Sequence, residues 1–479
     1  MLITKESVLI LFLFHLTLIT DACTTNHKFG GPCIFPYRFK GEIFFTCTVQ
    51  FNKEEGVVPM CPLVVDLVSL EPSNQVKDWG KCNKDCPMRR YLSNRDIQDI
   101  ISNLALSNPT LAQTYNLTHR SVLGEDLVAI RLTANADKPR PLLKPLVRLS
   151  ANMHGNEVVG REILVELAKL LVHGYSLDTR IRNIMDNVEV HLLPTMNPDG
   201  FNRATIGSCG GQDFLSGRWN ENKIDLNRNF PSWFQLQLNK SIQQILETKE
   251  PEVRAVANWI LSESWILGAN FHDGAVLATF PWDFYKGDQR IGDHITEDDE
   301  VNRYITGEYA DKHLTMTNGS ACAKYSYLGP TANGAAWYPK NGTLKDFGYI
   351  VGSGLEYVFE LSCCKFPSTY FLPREFENNR ESLLGFLEIA LTGVRGQLLD
   401  TKGQPVPGAN IDFTKNEKLG GKPVTSNGRG EFWKILVPGK YSVLAESENC
   451  FKSDVLTIDV TSSSVKTVEL VLKKLPNCL

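Results

Sequence analysis

The chain has 479 residues, 42% hydrophobic and 22% charged, with 50 Lys+Arg against 54 Asp+Glu and a formal net charge of −4. That composition is ordinary for folded globular protein, argues against disorder and leaves no basic footprint for nucleic acid. At about 150 residues per domain the length predicts about three domains, one of them large enough for a full-sized enzyme.

Lys5 precedes an apolar run from Val8 to Ile19, and Thr20-Asp21-Ala22 offers a small-x-small cleavage site, so residues 1–22 are expected to be a signal peptide. The run is short of the ~20 residues that cross a bilayer, and no later stretch is longer, so no transmembrane anchor is expected. The C-terminal KKLPNCL lacks the apolar tail of a lipid-anchor signal. The expected location is secreted, extracellular. Asn116, Asn239, Asn318 and Asn341 each begin an N-x-S/T sequon, usable for glycosylation there.

Of the 12 cysteines, Cys23, Cys33, Cys47, Cys61, Cys82 and Cys86 cluster early, while Cys209, Cys322, Cys363, Cys364, Cys450 and Cys478 are scattered. The early cluster predicts a small disulfide-stapled module over residues 23–87, formed in an oxidising compartment. Within it FGGPCIFPYRFKGEIFFTCT, followed by Cys61 and by Trp79-Gly80-Lys81-Cys82, resembles a fibronectin type II module. The resemblance implies Cys33, Cys47, Cys61 and Cys82 as the disulfide framework, with Cys23 and Cys86 left as a clasp at the ends. It also implies an extracellular matrix ligand, held by aromatics among Phe35, Tyr37, Phe39, Phe44, Phe45 and Trp79. The alternative is that in so small a core these rings fill the interior. Met60 stands where the family has Trp before the third cysteine, so weak or absent gelatin binding is expected.

From residue 88 the pattern alternates between helix and strand. Ser93 with Asp96 predicts a helix cap, followed by Ile97, Ile100, Ile101 and Leu104 at helical spacing and a stop at Asn108-Pro109. Residues 127–133, 146–152, 188–194 and 266–271 are apolar, β-prone runs. Val159, Ile163, Leu167, Leu170 and Leu171 form a helical stripe between the second and third. The fold class is therefore α/β, a sheet covered on both faces, with polar groups collected at strand ends. Thr296-Glu-Asp-Asp-Glu300 reads as an acidic helix start capped by Thr296. After residue 391 alternation at Ala409, Ile411 and Phe413, at Leu456, Ile458 and Val460, and at Val468, Leu470 and Leu472 predicts a small β-sandwich.

The second strand runs into Met153-His154-Gly155-Asn156-Glu157. A His at a strand end and a Glu at the first turn of the next helix can converge on one zinc, given a third ligand. His272, which ends the ILGANF strand, reaches the same sheet edge. On spacing alone, core or capping histidines remain an alternative reading.

HGNEVVGRE (154–162), NPDG (197–200), Gly217-Arg218, DLNRNFP (225–231), NFHDGAVLATFPWD (270–283), NGAAWY (333–338), KDFGY (345–349) and FELSCCKFP (359–367) occur in that order. Together they resemble the zinc metallocarboxypeptidases, most closely the regulatory N/E subfamily, over residues 88–390. The segment 391–479 resembles the transthyretin-like domain that follows in that subfamily. The implied architecture is a mixed-sheet α/β domain flanked by a disulfide-rich β module and a C-terminal β-sandwich.

The resemblance implies one Zn2+ per chain, held by His154, Glu157 and His272, with Asp225 accepting from a ligand imidazole. It makes Glu360 the general base, which takes a proton from the attacking water and passes it to the leaving amine. Arg218 becomes the group that polarises the scissile carbonyl. Asn227 and Arg228 would bind the substrate's terminal carboxylate, Tyr349 would be the phenol that closes over it, and Asp283 at the pocket floor would pair with a C-terminal Arg or Lys side chain. The expected function is that of a secreted zinc metallocarboxypeptidase releasing a basic residue from peptides or proteins. The competing class is a catalytically silent extracellular binding protein that uses residues 23–87. Two positions depart from the family pattern: Asp273 replaces glycine after the third ligand, and Gly354 stands where a cysteine is common.

Overall fold

A computed structural model describes residues 23–474 apart from 24–32, 45, 53–55, 67–68, 74, 76–77, 84–85, 87, 208, 210–214, 286–291, 319–321, 323–326, 353, 448–450 and 463. The expected signal peptide, Phe45, Cys450 and Cys478 lie outside the described residues. In the N-terminal region a hairpin of β1 (Tyr37–Phe39) and β2 (Glu42–Phe44) accompanies a three-stranded sheet of β3 (Thr48–Asn52), β4 (Gly56–Pro62) and β5 (Trp79–Lys81). Disulfides Cys33–Cys61 and Cys47–Cys82 staple it, and Cys23–Cys86 clasps its ends.

Phe35, Tyr37, Phe44 and Trp79 are buried and Phe39 is half-buried. Tyr37 stacks on Phe44 and meets Trp79 edge-on, with ring centroids 5.6 and 5.7 Å apart. Phe35, Tyr37, Phe44 and Trp79 are committed to the interior rather than offered as a ligand surface. Nor does the module stand apart: Ile43 joins the main core, the Arg380 guanidinium lies 4.8 Å from the Phe44 ring centroid, and Arg380 is ion-paired with Glu42.

The middle of the chain forms an eight-stranded mixed sheet from β6 (Ala112–Asn116), β7 (Val128–Leu132), β8 (Leu146–Ala151), β9 (Glu189–Leu193), β10 (Trp265–His272), β11 (Leu277–Phe280), β12 (Thr331–Asn333) and β13 (Leu355–Glu360). The spatial order is β12-β11-β13-β10-β8-β9-β7-β6. Its four central strands, β13, β10, β8 and β9, run parallel and are buried along their whole length. That explains their continuous apolar runs, because both faces are covered.

Helices α1 (Asn94–Ser107), α2 (Val159–Gly174), α3 (Thr179–Asn187), α4 (Pro251–Ser262), α5 (Asp299–Lys312), α6 (Leu344–Val351) and α7 (Leu372–Ile389) supply the two covering layers. Residues of α2, α5 and α7 share one hydrophobic core, and those of α4 and α6 share the other. Ser93 and Asp96 form the expected capping box of α1. Thr296 does not cap α5. The N-cap is Asp298, and Thr296 Oγ1 instead accepts from the Asp298 N–H and the Asn302 side chain.

Among the described residues the C-terminal region is all β, with its own core of Val394, Leu398, Ile411, Phe413, Phe432, Tyr441, Val443, Ile458 and Leu470. Strand Lys466–Lys474 pairs parallel with Val394–Asp400 and antiparallel with Phe451–Lys452. Lys434 binds the two regions together, its Nζ 2.5 Å from Asp298 Oδ1. The Arg140–Glu431 pair, also 2.5 Å apart, does the same. Among the described residues no helix is long and apolar enough to cross a membrane.

Candidate active site

Three strand ends and one loop build the site. β8 leads into a loop gathered by Asn152, whose Nδ2 donates to the carbonyls of His154, Gly155 and Glu157 at 3.0–3.1 Å. Gly155 is required there, because a Cβ would lie 2.2 Å from the Gly200 backbone carbon. β10 ends on His272, and its parallel neighbour β13 ends on Glu360 in direct register with it.

The three expected metal ligands converge. His154 Nδ1 lies 2.9 Å and His272 Nδ1 2.7 Å from Glu157 Oε2, and the two imidazole nitrogens are 3.2 Å apart. His154 Nε2 is 3.1 Å from Asp225 Oδ1, a contact that keeps the proton on Nε2 and turns the Nδ1 lone pair inward. Two imidazole nitrogens and a carboxylate oxygen facing one point suit a zinc ion, which takes such N/O ligands at ~2.0–2.2 Å. Burial would raise the Glu157 carboxyl, but His154, Lys365 and His272 outweigh it and hold the group well below the usual range. Lys365 and Arg218 both approach Glu157 Oε1, which leaves Oε2 facing the imidazoles.

A cavity of about 230 Å³ opens beside this cluster, lined by Glu360, Arg218, Asn227 and Arg228 among others. Burial and the neighbouring Glu157 raise the pKa of Glu360, against the lowering influence of His272. Arg218 is held by Asp225 at 2.8 Å. Asn227 and Arg228 sit in a short turn that Asp225 starts, its Oδ1 accepting the Asn227 N–H. Asn227 Oδ1 accepts the Leu344 N–H at 3.0 Å, so the donor face of its amide is turned away from α6. Asp273 also lines the cavity. Its Oδ2 accepts the Val159 N–H at 2.9 Å, so the residue that replaces glycine anchors the start of α2.

Two of the expected residues lie off the cavity wall. Tyr349 is 2% exposed and does not line the cavity; its hydroxyl donates to Asp298 at 2.8 Å, beneath the C-terminal region. The phenol on the cavity wall is Tyr338, 39% exposed. The NGAAWY segment contained it, and its ring lies 6.0 Å from the Arg228 guanidinium. Asp283 is fully buried and already ion-paired with Lys340 and Lys345, two residues that the sequence reading missed. It does not line the cavity as the expected pocket floor would.

The late cysteines pair Cys209–Cys364 and Cys322–Cys363. Gly354 packs where a Cβ would lie 2.3 Å from the Trp265 carbonyl oxygen, so no larger residue fits that backbone. Asn116, Asn239 and Asn341 are exposed.

The family model described as zinc carboxypeptidase matches residues 97–382, a span that contains every one of these groups. The chain belongs to the zinc carboxypeptidase family. A carboxypeptidase regulatory-like domain matches residues 393–473. Carboxypeptidase D of Drosophila melanogaster is 35% identical over 387 residues, covering 81% of this chain, which spans 27% of that relative's length. The carboxypeptidase N catalytic chain of Mus musculus is 35% identical over 383 residues, covering 76% of this chain and 82% of the relative. Carboxypeptidase A from Helicoverpa armigera shares the fold, with a TM-score of 0.50 at 16% identity, covering 66% of this chain and 76% of its own. The disulfide-rich β region at the N-terminal side of the described residues lies before both matched spans.

Proposed function

We propose that the protein is a secreted zinc carboxypeptidase that hydrolyses the last peptide bond of peptides or proteins, with one zinc held by His154, Glu157 and His272. The observation that carries the reading is the convergence of those three groups beside Glu360 on one cavity that also holds Arg218, Asn227 and Arg228. Zinc bound there would acidify water and polarise a carbonyl.

The chain's own groups do the rest. Glu360, with its raised pKa, accepts the proton of the attacking water and delivers it to the leaving amine. Arg218, fixed by Asp225, presents its guanidinium to the oxygen on which charge develops. Arg228 and the Asn227 amide hold the terminal carboxylate, which limits cleavage to one residue at a chain end, and Tyr338 closes over it. A secreted location is supported by the disulfides and by exposed sequon asparagines.

The expected preference for C-terminal Arg or Lys rested on Asp283 as the pocket-floor carboxylate, and the two lysines on that carboxylate weaken its support. A matrix ligand for residues 23–87 is likewise unsupported by their buried aromatics. The deciding experiment is hydrolysis of synthetic peptides by the zinc-loaded chain with and without a chelator. Release of a single C-terminal residue that the chelator stops supports the reading. Absence of release on every peptide returns the chain to the silent binding class.

A further inference from the structure

Asp283 is already ion-paired behind the pocket wall. Its Oδ1 lies 3.1 Å from Lys340 Nζ and 2.9 Å from Lys345 Nζ, and the three side chains are only 1%, 9% and 0% exposed respectively. The packing commits them to this arrangement: a Cβ on Gly334 would fall 1.9 Å from Asp283 Oδ1 and 2.7 Å from Lys345 Nζ, so glycine alone leaves room for the pair. Lys345 also donates to Thr279 Oγ1 at 3.0 Å. Thr279 and Lys340 line the cavity that contains Arg228, and Asp283 does not. What the cavity meets at this end is an ammonium, with the carboxylate behind it.

The charge balance follows. Burial would raise the Asp283 carboxyl, but Lys340 and Lys345 hold it well below the usual range, so it remains ionised. Asp346 accepts the Asp283 N–H at 2.9 Å, and burial together with Asp283 pushes its pKa well up. Burial lowers Lys345, opposed by Asp283; burial would lower Lys340 as well, but Asp283 and Tyr338 together raise it. With both lysines charged the three side chains of Asp283, Lys340 and Lys345 sum to plus one; with Lys345 neutral they sum to zero. In either state the Asp283 carboxylate already has an ammonium beside it.

Resting on the carboxypeptidase reading above, we propose that Lys340 and Lys345 set the side-chain specificity of this site and that the residue released is acidic, glutamate or aspartate, its carboxylate pairing with Lys340. An arginine or lysine at the substrate's end would bring a further cation to a desolvated pocket whose carboxylate is already shared by two ammonium groups, and such like-charge contact is strongly unfavourable. An acidic side chain meets an ammonium whose counter-ion is only half its own. Arg228 remains for the terminal carboxylate, so the two anionic groups of such a residue have separate partners.

The test uses peptides identical except for a C-terminal Glu, Asp, Arg, Lys or Phe, offered to the zinc-loaded full chain. Expected is a kcat/KM for Glu- or Asp-ended peptides at least ~30-fold above that for Arg- or Lys-ended ones. The double variant Lys340→Gln/Lys345→Gln, which leaves Asp283 without its counter-ions, should raise the Arg-to-Glu ratio of kcat/KM by about 100-fold. If that variant fails to fold, Lys340→Gln alone should narrow the Glu preference by about 10-fold. Wild-type preference for Arg, Lys or Phe over Glu overturns the proposal.

Calorimetric binding of the same peptides to the zinc-loaded Glu360→Gln protein reads the pocket without turnover. Tighter binding of Glu-ended than Arg-ended peptides upholds the proposal even if the wild type hydrolyses nothing, an outcome that would count against the reaction alone. Equal or reversed binding overturns it.

Discussion

His272 and Glu360 stand opposite each other in the register of two parallel strands, β10 and β13. The pairing puts the imidazole proposed as a zinc ligand and a carboxylate with a raised pKa side by side at one sheet edge, where adjacent strands end ~4.8 Å apart. Replacing Glu360 by Gln keeps the shape and removes the proton acceptor. Zinc content should stay at one per chain while kcat falls by about 10² to 10⁴ or more. Near-normal kcat with zinc bound would remove Glu360 from the role of base.

Asp225 touches two working groups at once, His154 Nε2 at 3.1 Å and Arg218 at 2.8 Å. Asp225→Asn should weaken zinc binding by about 10- to 100-fold, because the ligand imidazole loses the acceptor that orients it. Competition against a chelator of known affinity measures this. Unchanged zinc affinity would show that the contact is incidental.

The two tyrosines divide cleanly. Tyr338→Phe should lower kcat/KM by about 10-fold through loss of one hydrogen bond to substrate. Tyr349→Phe should leave kcat/KM unchanged and reduce stability by about 1–3 kcal/mol, since the buried Asp298 carboxylate loses a donor. Kinetics and urea unfolding on both variants decide, and the opposite pattern would restore Tyr349 to the substrate.

Lys434 and Asp298 form a buried pair between the catalytic and C-terminal regions, with side chains 6% and 1% exposed. Lys434→Met leaves a buried carboxylate uncompensated and should cost about 3–5 kcal/mol in denaturant unfolding. A cost below 1 kcal/mol would mean that the joint is held by its apolar contacts instead.

Glu189 makes an acid-sensitive contact. Burial would raise its pKa, but His191 and Arg131 overcome that and bring it down to about 2. A depressed folded pKa means stabilisation that is full above the unfolded value near 4.5 and lost as pH falls through about 2. Glu189→Gln should therefore flatten part of the stability loss between pH 4.5 and 2, on the order of 2–3 kcal/mol, in pH-dependent unfolding. A variant whose acid unfolding matches the wild type would exclude Glu189 as a contributor.

The sequence by itself determined whatever is local or carried by order along the chain. The Ser93–Asp96 box, the continuous apolar runs of β8, β9 and β10, and the HxxE step from strand end to helix start are short-range, and each is found within a residue or two of its expected place. Clustering of the early cysteines marked a stapled region, and which of them pair, Cys33 with Cys61 and Cys47 with Cys82, came from the structure. Edge strands such as β6 and β12 were not legible, because a short strand at a sheet margin carries little hydrophobic pattern. Tertiary structure decided which of two tyrosines eleven positions apart faces the cavity, since Tyr338 precedes α6 and Tyr349 lies on it, turned toward Asp298. It also decided the state of Asp283. A carboxylate's charge environment depends on every side chain within a few ångströms, and the two lysines that neutralise it come from 57 and 62 positions further along the chain, brought to it by the close packing around Gly334.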